Sequence, residues 1–350
     1  MCQAFLLLSV YSRLTDGWPE DRSWLYLGIS ISLAMDLRLH ERLPGAYTNE
    51  AYEREALNRT RTWLFCYNMD RELATRFGRP SAIPENYIAS HSREWYRNSP
   101  YNGPLDLHIC YYTQLLQIVT RYFGRIYSNT ESITGFNSDI NFESIVLSFD
   151  KEMGYFMTDM RHANASSSYG SHPSCQYQLA QMPLVVTYYR LMMYSFGLEH
   201  SYKSSGVIST MFLTSAVDAA AEVLQIANRT LPKYDFYRYS PDRHWSWPVH
   251  AASFLIKLVK PRCIELPGLT LTESQHTEIL SLLDRFIHIL RTSAIDDRHP
   301  PALYACSLAD ILSEGALDTR GMGCIENQQG LITDGSVPQI GLENFWDRML

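Results

Sequence analysis

Residues 59–83, RTRTWLFCYNMDRELATRFGRPSAI, set Arg59, Arg61, Asp70, Arg71, Glu72, Arg76 and Arg79 among Trp63, Leu64, Phe65, Tyr67 and Leu73. Carboxylates, guanidinium groups and a phenol in one stretch can move protons, grip an anionic ligand, or pair with one another inside a core. Here the charges alternate with large apolar residues instead of gathering into a patch, and that favours the third use. A buried carboxylate survives only when paired and hydrogen-bonded, so Asp70 requires a partner, with Arg79 or Arg61 as the choices. Trp63 and Tyr67, one helical turn apart, form an aromatic ridge expected to pack on the helix of Trp24 near Gly28. His40, at a helix end, is placed to cap carbonyls or answer the helix dipole.

Other residues with reactive side chains do not assemble into a motif. GISIS at Gly28 lacks the closing glycine of a nucleophile elbow and sits inside a helix. No GxxxxGK[ST] or GxGxxG occurs, and GMGC at 321–324 lacks a third glycine. His172 and Cys175 have a ligand-like interval without a second pair, and His108 with Cys110 is a weaker pairing. Asp218 and Glu222 lie one turn apart, but no Glu-x-x-His partner completes a di-metal site, so they read as a solvated helix face. A terpene-cyclising site needs a run of carboxylates for magnesium. Asp296 and Asp297 are followed by Arg298-His299-Pro300 instead. The expectation is no catalytic, cofactor-binding or metal-binding residue in the chain.

These residues lie on helices. Apolar spacing of 3.6 residues dominates and strand-like alternation is nearly absent, so the fold is expected to be all-α, a bundle or array of about nine or ten helices. After a turn at Asp16-Gly17-Trp18-Pro19, a helix over about 23–40 carries Trp24, Leu27, Ile31, Ala34 and Met35 on one face. Leu25, Ile29, Leu33 and Leu37 lie beside them, which predicts burial on most sides. Gly28 in its middle costs about 1 kcal/mol relative to Ala, which predicts a close helix crossing there. Leu43-Pro44-Gly45 ends the segment. A second helix over about 50–75 is stopped by Phe77-Gly78-Arg79-Pro80, where glycine allows positive φ and proline forbids continuation. Further helices are predicted at about 104–127, 141–162, 174–198, 208–230, 244–260, 272–292 and 299–313, with loops at 128–138 and 164–173. The domain division expected is one helical body over 1–310 and an acidic, glycine-rich tail over 311–350 ending in IGLENFWDRML.

Charge and cysteine usage narrow the classes. The formal charge is −7, and residues 1–100 are balanced, so the excess lies in residues 101–350 and no basic nucleic-acid surface is indicated. Seven cysteines, without a CxxC pair, fit a reducing compartment. Sequons at Asn58, Asn164 and Asn228 are of the kind that arise by chance in a chain this long. No window of about 18 apolar residues predicts a membrane span. The start MCQAFLLLSV reads as a helix already under way, which suggests that a longer protein begins upstream.

The ordered series Trp24-x3-Gly28, Ala34-x2-Leu37-x-Leu39-His40, Arg59-x-Arg61-x-Trp63, Tyr67, Asp70-Arg71 and Gly78-Arg79-Pro80 with Ile83 resembles the regulatory middle homology region of fungal binuclear-zinc-cluster (Zn2Cys6) transcription factors. The motif core covers about 18–90. Leu64 stands where a second Trp is frequent, and Arg38 replaces the glycine usual between the two leucines before His40. The resemblance implies a nuclear, non-enzymatic regulatory domain controlling RNA polymerase II transcription. Members bind DNA through six clustered cysteines holding two zinc ions. This chain has no such cluster, so the expectation is a fragment or a form without that module, with zinc and DNA contact belonging to the missing part. The implied partners are transcription machinery or coactivator proteins, with a homodimer partner as a further candidate; an aromatic-rich helical body can in addition leave an apolar pocket for a small-molecule effector, and no membrane partner is expected. The alternatives are a helical scaffold derived from that family and a helical enzyme acting on a hydrophobic substrate. The twelve motif residues Trp24, Gly28, His40, Arg59, Arg61, Trp63, Tyr67, Asp70, Arg71, Gly78, Arg79 and Pro80 are expected to brace the fold.

Overall fold

The computed structural model describes residues 1–11, 22–42, 49–76, 80–132, 135–137, 139–260 and 271–313. The turns expected at 16–19 and 43–45, the Phe77-Gly78-Arg79 stop, and the tail from 314 onward lie outside them. Among the described residues the chain is all-α, with eleven α-helices and no strand. They are α1 (Cys2–Val10), α2 (Ser23–Asp36), α3 (Glu50–Arg76), α4 (Tyr87–Ser90), α5 (Asp106–Ile126), α6 (Phe142–Ser166), α7 (Pro173–Ser205), α8 (Thr210–Arg229), α9 (Asp242–Val259), α10 (Glu273–Ser293) and α11 (Pro300–Ser313).

Two compact units divide the described chain. The first holds Met1–Asn137 and Gly154–Gln178. In it α1 packs on α2, both lie on α3, and α3 packs on α5. Leu6, Leu27, Ala34, Trp63, Tyr67, Met69 and Leu73 share its core with Ile83 from the segment that follows α3. α5 shows why periodicity suffices here: Tyr112, Leu115, Leu116, Val119, Tyr122, Phe123 and Ile126 recur at three- and four-residue steps and are all buried.

The second unit holds Ser138–Met153 and the described residues from Leu179 onward. α8 packs on α9 and α10, and α11 on α9 and α10. α8 starts where the Ser209 side chain accepts from the Phe212 amide, and it buries Phe212, Leu213, Ala216, Ala220, Val223, Leu224 and Ala227. A capping box between Thr272 and Gln275 starts α10, satisfying amides that the first turn leaves open. Asn228, one of the sequon asparagines, is buried and donates Nδ2 to the Leu282 carbonyl at 3.0 Å, which ties α8 to α10.

α2 departs from expectation in three ways. It ends at Asp36, not His40, because residues 37–40 turn away in a C-terminal cap. The Leu39 amide donates to the Ala34 carbonyl and the Arg38 amide to the Met35 carbonyl, both at 2.9 Å, with Arg38 at φ +52°. This is the Schellman arrangement, which favours glycine at the residue Arg38 occupies. α2 is also buried along one stripe only, Ser23, Leu27, Ser30 and Ala34, while Leu25, Met35 and Leu37 are exposed. Lastly, Gly28 is exposed with open space where a Cβ would sit, so no helix among the described residues crosses there. The contact with α1 and α3 runs along the opposite face.

Candidate functional site

The motif face of α3 meets three other segments: the stretch 80–86 that returns along it, α4, and the start of α5. Asp70 is fully buried, and its partners are backbone amides. Oδ1 accepts from the Ala82 N–H at 2.9 Å and Oδ2 from the Ile83 N–H at 2.8 Å. The expected pairing with Arg61 is not formed, and Arg79 lies outside the described residues. Among the described residues the guanidinium beside it is that of the adjacent Arg71, at 3.9 Å. The reason is reach. Residues 82 and 83 return directly over Asp70, and two aligned N–H donors satisfy both carboxylate oxygens at the cost of no long side chain. Burial raises the Asp70 pKa above the ordinary value, and the Ile83 and Ala82 amides oppose that shift.

Arg71 works beside it. Its Nη1 donates to the Ile83 carbonyl at 3.1 Å and its Nη2 approaches Glu85 Oε2 at 3.4 Å, while the guanidinium lies 3.4 Å from the centroid of the Tyr67 ring. Tyr67 donates its hydroxyl to the same Glu85 oxygen at 2.5 Å. The other Glu85 oxygen accepts from Gln117 on α5 at 2.8 Å and Ser90 on α4 at 3.0 Å. Glu85 is therefore a hub between α3, α4 and α5. Sequence reasoning missed it, since nothing in IPENY distinguishes this exposed glutamate from a loop charge.

Trp63 donates Nε1 to Asn86 Oδ1 at 3.0 Å, and the same oxygen caps α4 by accepting from the Ala89 amide. His40 packs its ring on Trp63, with centroids 5.6 Å apart, instead of capping carbonyls. The α2 carbonyls fall to Arg59, whose Nη2 donates to Leu37 at 2.8 Å and Arg38 at 3.1 Å. Arg61 forms a bidentate pair with Asp106 at the start of α5, both contacts at 2.7 Å, and Asp106 also accepts from Asn102 and the Gly103 amide. Glu72 accepts from the Tyr112 hydroxyl of α5 at 2.7 Å. The Trp63 and Tyr67 ridge lies in the core cluster shared with Leu27 and Ala34, not against Gly28. Trp24 is half-buried beside that cluster. Pro80 is exposed at the head of the returning segment, and Gly78, like Arg79, lies outside the described residues.

The other reactive candidates stay apart. His172 contacts the Ser174 hydroxyl, Cys175 donates to the Pro104 carbonyl, and His108 stacks on Tyr112. Asp218, Glu222, Asp296 and Asp297 are exposed. No group of three or more His, Cys, Asp or Glu side chains that could hold a metal occurs among the described residues. No helix of the described residues is long and apolar enough to cross a membrane.

The chemistry of the α3 face follows from who holds each polar atom. Both Asp70 oxygens are engaged by fixed amides, and Tyr67 is pushed above its ordinary pKa by burial and then by its bond to Glu85, away from any acid role near neutrality. Burial lowers the Arg71 pKa, with Tyr67 and Glu85 opposing. The assembly closes a returning chain onto a helix. Comparison with known proteins decides what kind of helix that is. Residues 1–91 match the fungal specific transcription factor domain. The match bears out, over residues 1–91, the resemblance drawn from the Trp24–Ile83 motif, and it ends one residue past Ser90, the α4 residue that donates to Glu85. Beyond this domain, Protein priB of Lentinula edodes is 24% identical over 264 residues, 74% of this chain and 43% of that protein. Pyrimidine pathway regulatory protein 1 of Saccharomyces cerevisiae is 35% identical over 86 residues, 24% of this chain and 9% of that protein. The chain thus spans less than half the length of these relatives. No solved structure matches.

Proposed function

We propose that this chain is the regulatory part of a fungal transcription factor controlling RNA polymerase II genes in the nucleus. The match of residues 1–91 to the fungal specific transcription factor domain carries this reading. The regulator title of the yeast relative agrees with it. In this reading residues 1–310 form the all-helical regulatory body and 311–350 the acidic tail. We read the body as non-enzymatic: among the described motif residues, Arg59, Arg61, Trp63, Tyr67, Asp70 and Arg71 are spent on neighbouring side chains and backbone groups. Trp24, His40, Arg59, Arg61, Trp63, Tyr67, Asp70 and Arg71 brace α2, α3 and the returning segment, so that signals reach partners through the helical body and not through a reaction. DNA contact and its zinc belong to a cluster module that the 350 residues do not contain. Coactivators or general transcription proteins are the partners, with a homodimer and a small-molecule effector as further ones.

The test is to fuse the chain to a heterologous DNA-binding module in yeast and measure a reporter bearing the cognate site. A change in reporter output relative to the module alone, in either direction, supports the proposal. Unchanged output from a fusion shown by immunoblot and imaging to be intact and nuclear would overturn it.

A further inference from the structure

Three helices of the first unit bring two thiols and one hydroxyl to a single buried point. Cys2 opens α1, Ser30 lies on the buried stripe of α2, and Cys66 is in the middle of α3. Ser30 Oγ donates to the Cys2 carbonyl at 3.0 Å, and it lies 3.2 Å from Cys2 Sγ and 3.6 Å from Cys66 Sγ. Cys2 Sγ also lies 3.4 Å from the Ser30 carbonyl oxygen. Ser30 Oγ thus stands within hydrogen-bond reach of both sulfurs. Cys2 keeps 6% of its surface exposed, while Cys66 is fully enclosed.

No other cysteine among the described residues has such company. Cys110 sits with its pKa pushed up to about 12 by burial, Cys175 donates to the Pro104 carbonyl, and Cys306 is an exposed single thiol. None of the motif contacts of α3 uses Cys2 or Cys66, so the pair is unassigned by the fold's bracing.

The geometry points to Cys2 and Cys66 as an oxidation site at which hydrogen peroxide closes a disulfide between α1 and α3. Cys2 is the attacking thiol. It is the one of the two that keeps some surface exposed, and its contact with Cys66 draws its pKa down, with Ser30 assisting against burial, whereas Cys66 is raised and holds its proton. The Cys2 thiolate attacks one peroxide oxygen: the S–O bond forms, the O–O bond breaks, and hydroxide leaves to become water with the thiol's proton. The Cys66 sulfur then attacks the Cys2 sulfenic sulfur, forming S–S and breaking S–O. The departing hydroxide takes the Cys66 proton as a second water. Two thiols and one peroxide give one disulfide and two waters.

The test treats the reduced full chain with equimolar hydrogen peroxide, blocks remaining thiols, and maps peptides without reduction by mass spectrometry. The expected product is a Cys2–Cys66 linked pair lighter by two hydrogens, reversed by dithiothreitol, with Cys110 and Cys175 still blocked as free thiols. Its rate should rise with pH over a range below that of an ordinary thiol, the direction in which the Cys2 pKa is shifted. In Cys66→Ser, dimedone should trap a sulfenic acid on Cys2. Wild-type mapping does not depend on any variant folding. The proposal is overturned if Cys2 and Cys66 both remain free after tenfold peroxide while Cys306 is oxidised, or if they pair only after the chain is unfolded in urea.

Discussion

Arg38 and Asp70 show single residues governing local structure in opposite ways. Arg38 occupies the left-handed position of the α2 cap at φ +52°, a conformation costing a non-glycine residue about 1 kcal/mol. Its side chain is largely exposed and reaches Glu41 only at 3.9 Å, an ion pair of little worth in water. Arg38→Gly should therefore stabilise the chain by up to about 1 kcal/mol, since the loss of strain outweighs glycine's extra freedom in the unfolded chain. Denaturant unfolding would read this as a rise in midpoint at constant slope. A fall would mean that the side chain contributes more than its exposure suggests. Asp70 carries the opposite load. Asp70→Ala leaves the buried Ile83 amide and its Ala82 neighbour without acceptors, which costs about 3 kcal/mol. Asp70→Asn should lie between, because the amide oxygen keeps one N–H while its own NH2 faces the other. An unchanged melt for Asp70→Ala would show that water replaces the carboxylate and that the returning segment does not depend on it.

At the scale of helices, most of the architecture was legible in the apolar spacing, and what was not legible involved partners distant in sequence. The helices expected at 104–127, 208–230, 244–260, 272–292 and 299–313 correspond within about two residues to α5, α8, α9, α10 and α11. Each presents one continuous apolar stripe with a turn signal at its ends. The end of α2 was misplaced because the residue that marks such a cap is normally glycine, and Arg38 conceals it. Gly28 was misread because a glycine's helix penalty was assigned to a crossing, whereas its side of α2 faces open space. Asp106 and Glu85 as partners of Arg61 and Tyr67 could not be found by spacing at all. Those contacts cross 45 and 18 positions of chain and depend on how α5 and the 80–86 segment pack. A close crossing does occur, at Gly197 of α7, where an added Cβ would meet the Phe212 ring of α8 at 2.7 Å. Gly197→Ala should destabilise the second unit by about 1–3 kcal/mol through overpacking. Combining it with Phe212→Leu should recover part of the loss in a double-mutant cycle, and strict additivity would show that α7 and α8 do not meet through this pair.

For the whole molecule, the deciding quantity is charge. Nonspecific attachment to duplex DNA rests on cationic side chains displacing counterions, and affinity then falls steeply with salt. This chain carries 30 basic against 37 acidic residues, and residues 1–100 contribute no excess of either sign. Its best-placed arginines are also withdrawn from solvent duty: Arg61 is held by Asp106, Arg71 by Ile83 and Glu85, and Arg59 by the α2 carbonyls. The surface left for a phosphate backbone is net negative over residues 101–350. The chain by itself should therefore leave the anisotropy of a labelled 20-base-pair duplex unchanged up to about 10 µM protein at 50 mM salt, where a cationic domain would already bind. Binding that weakens with a log–log slope of several units between 50 and 200 mM salt would reveal a phosphate-binding surface that this charge distribution does not provide. Such binding would contradict the proposal that the chain acts through protein contacts of its helical body.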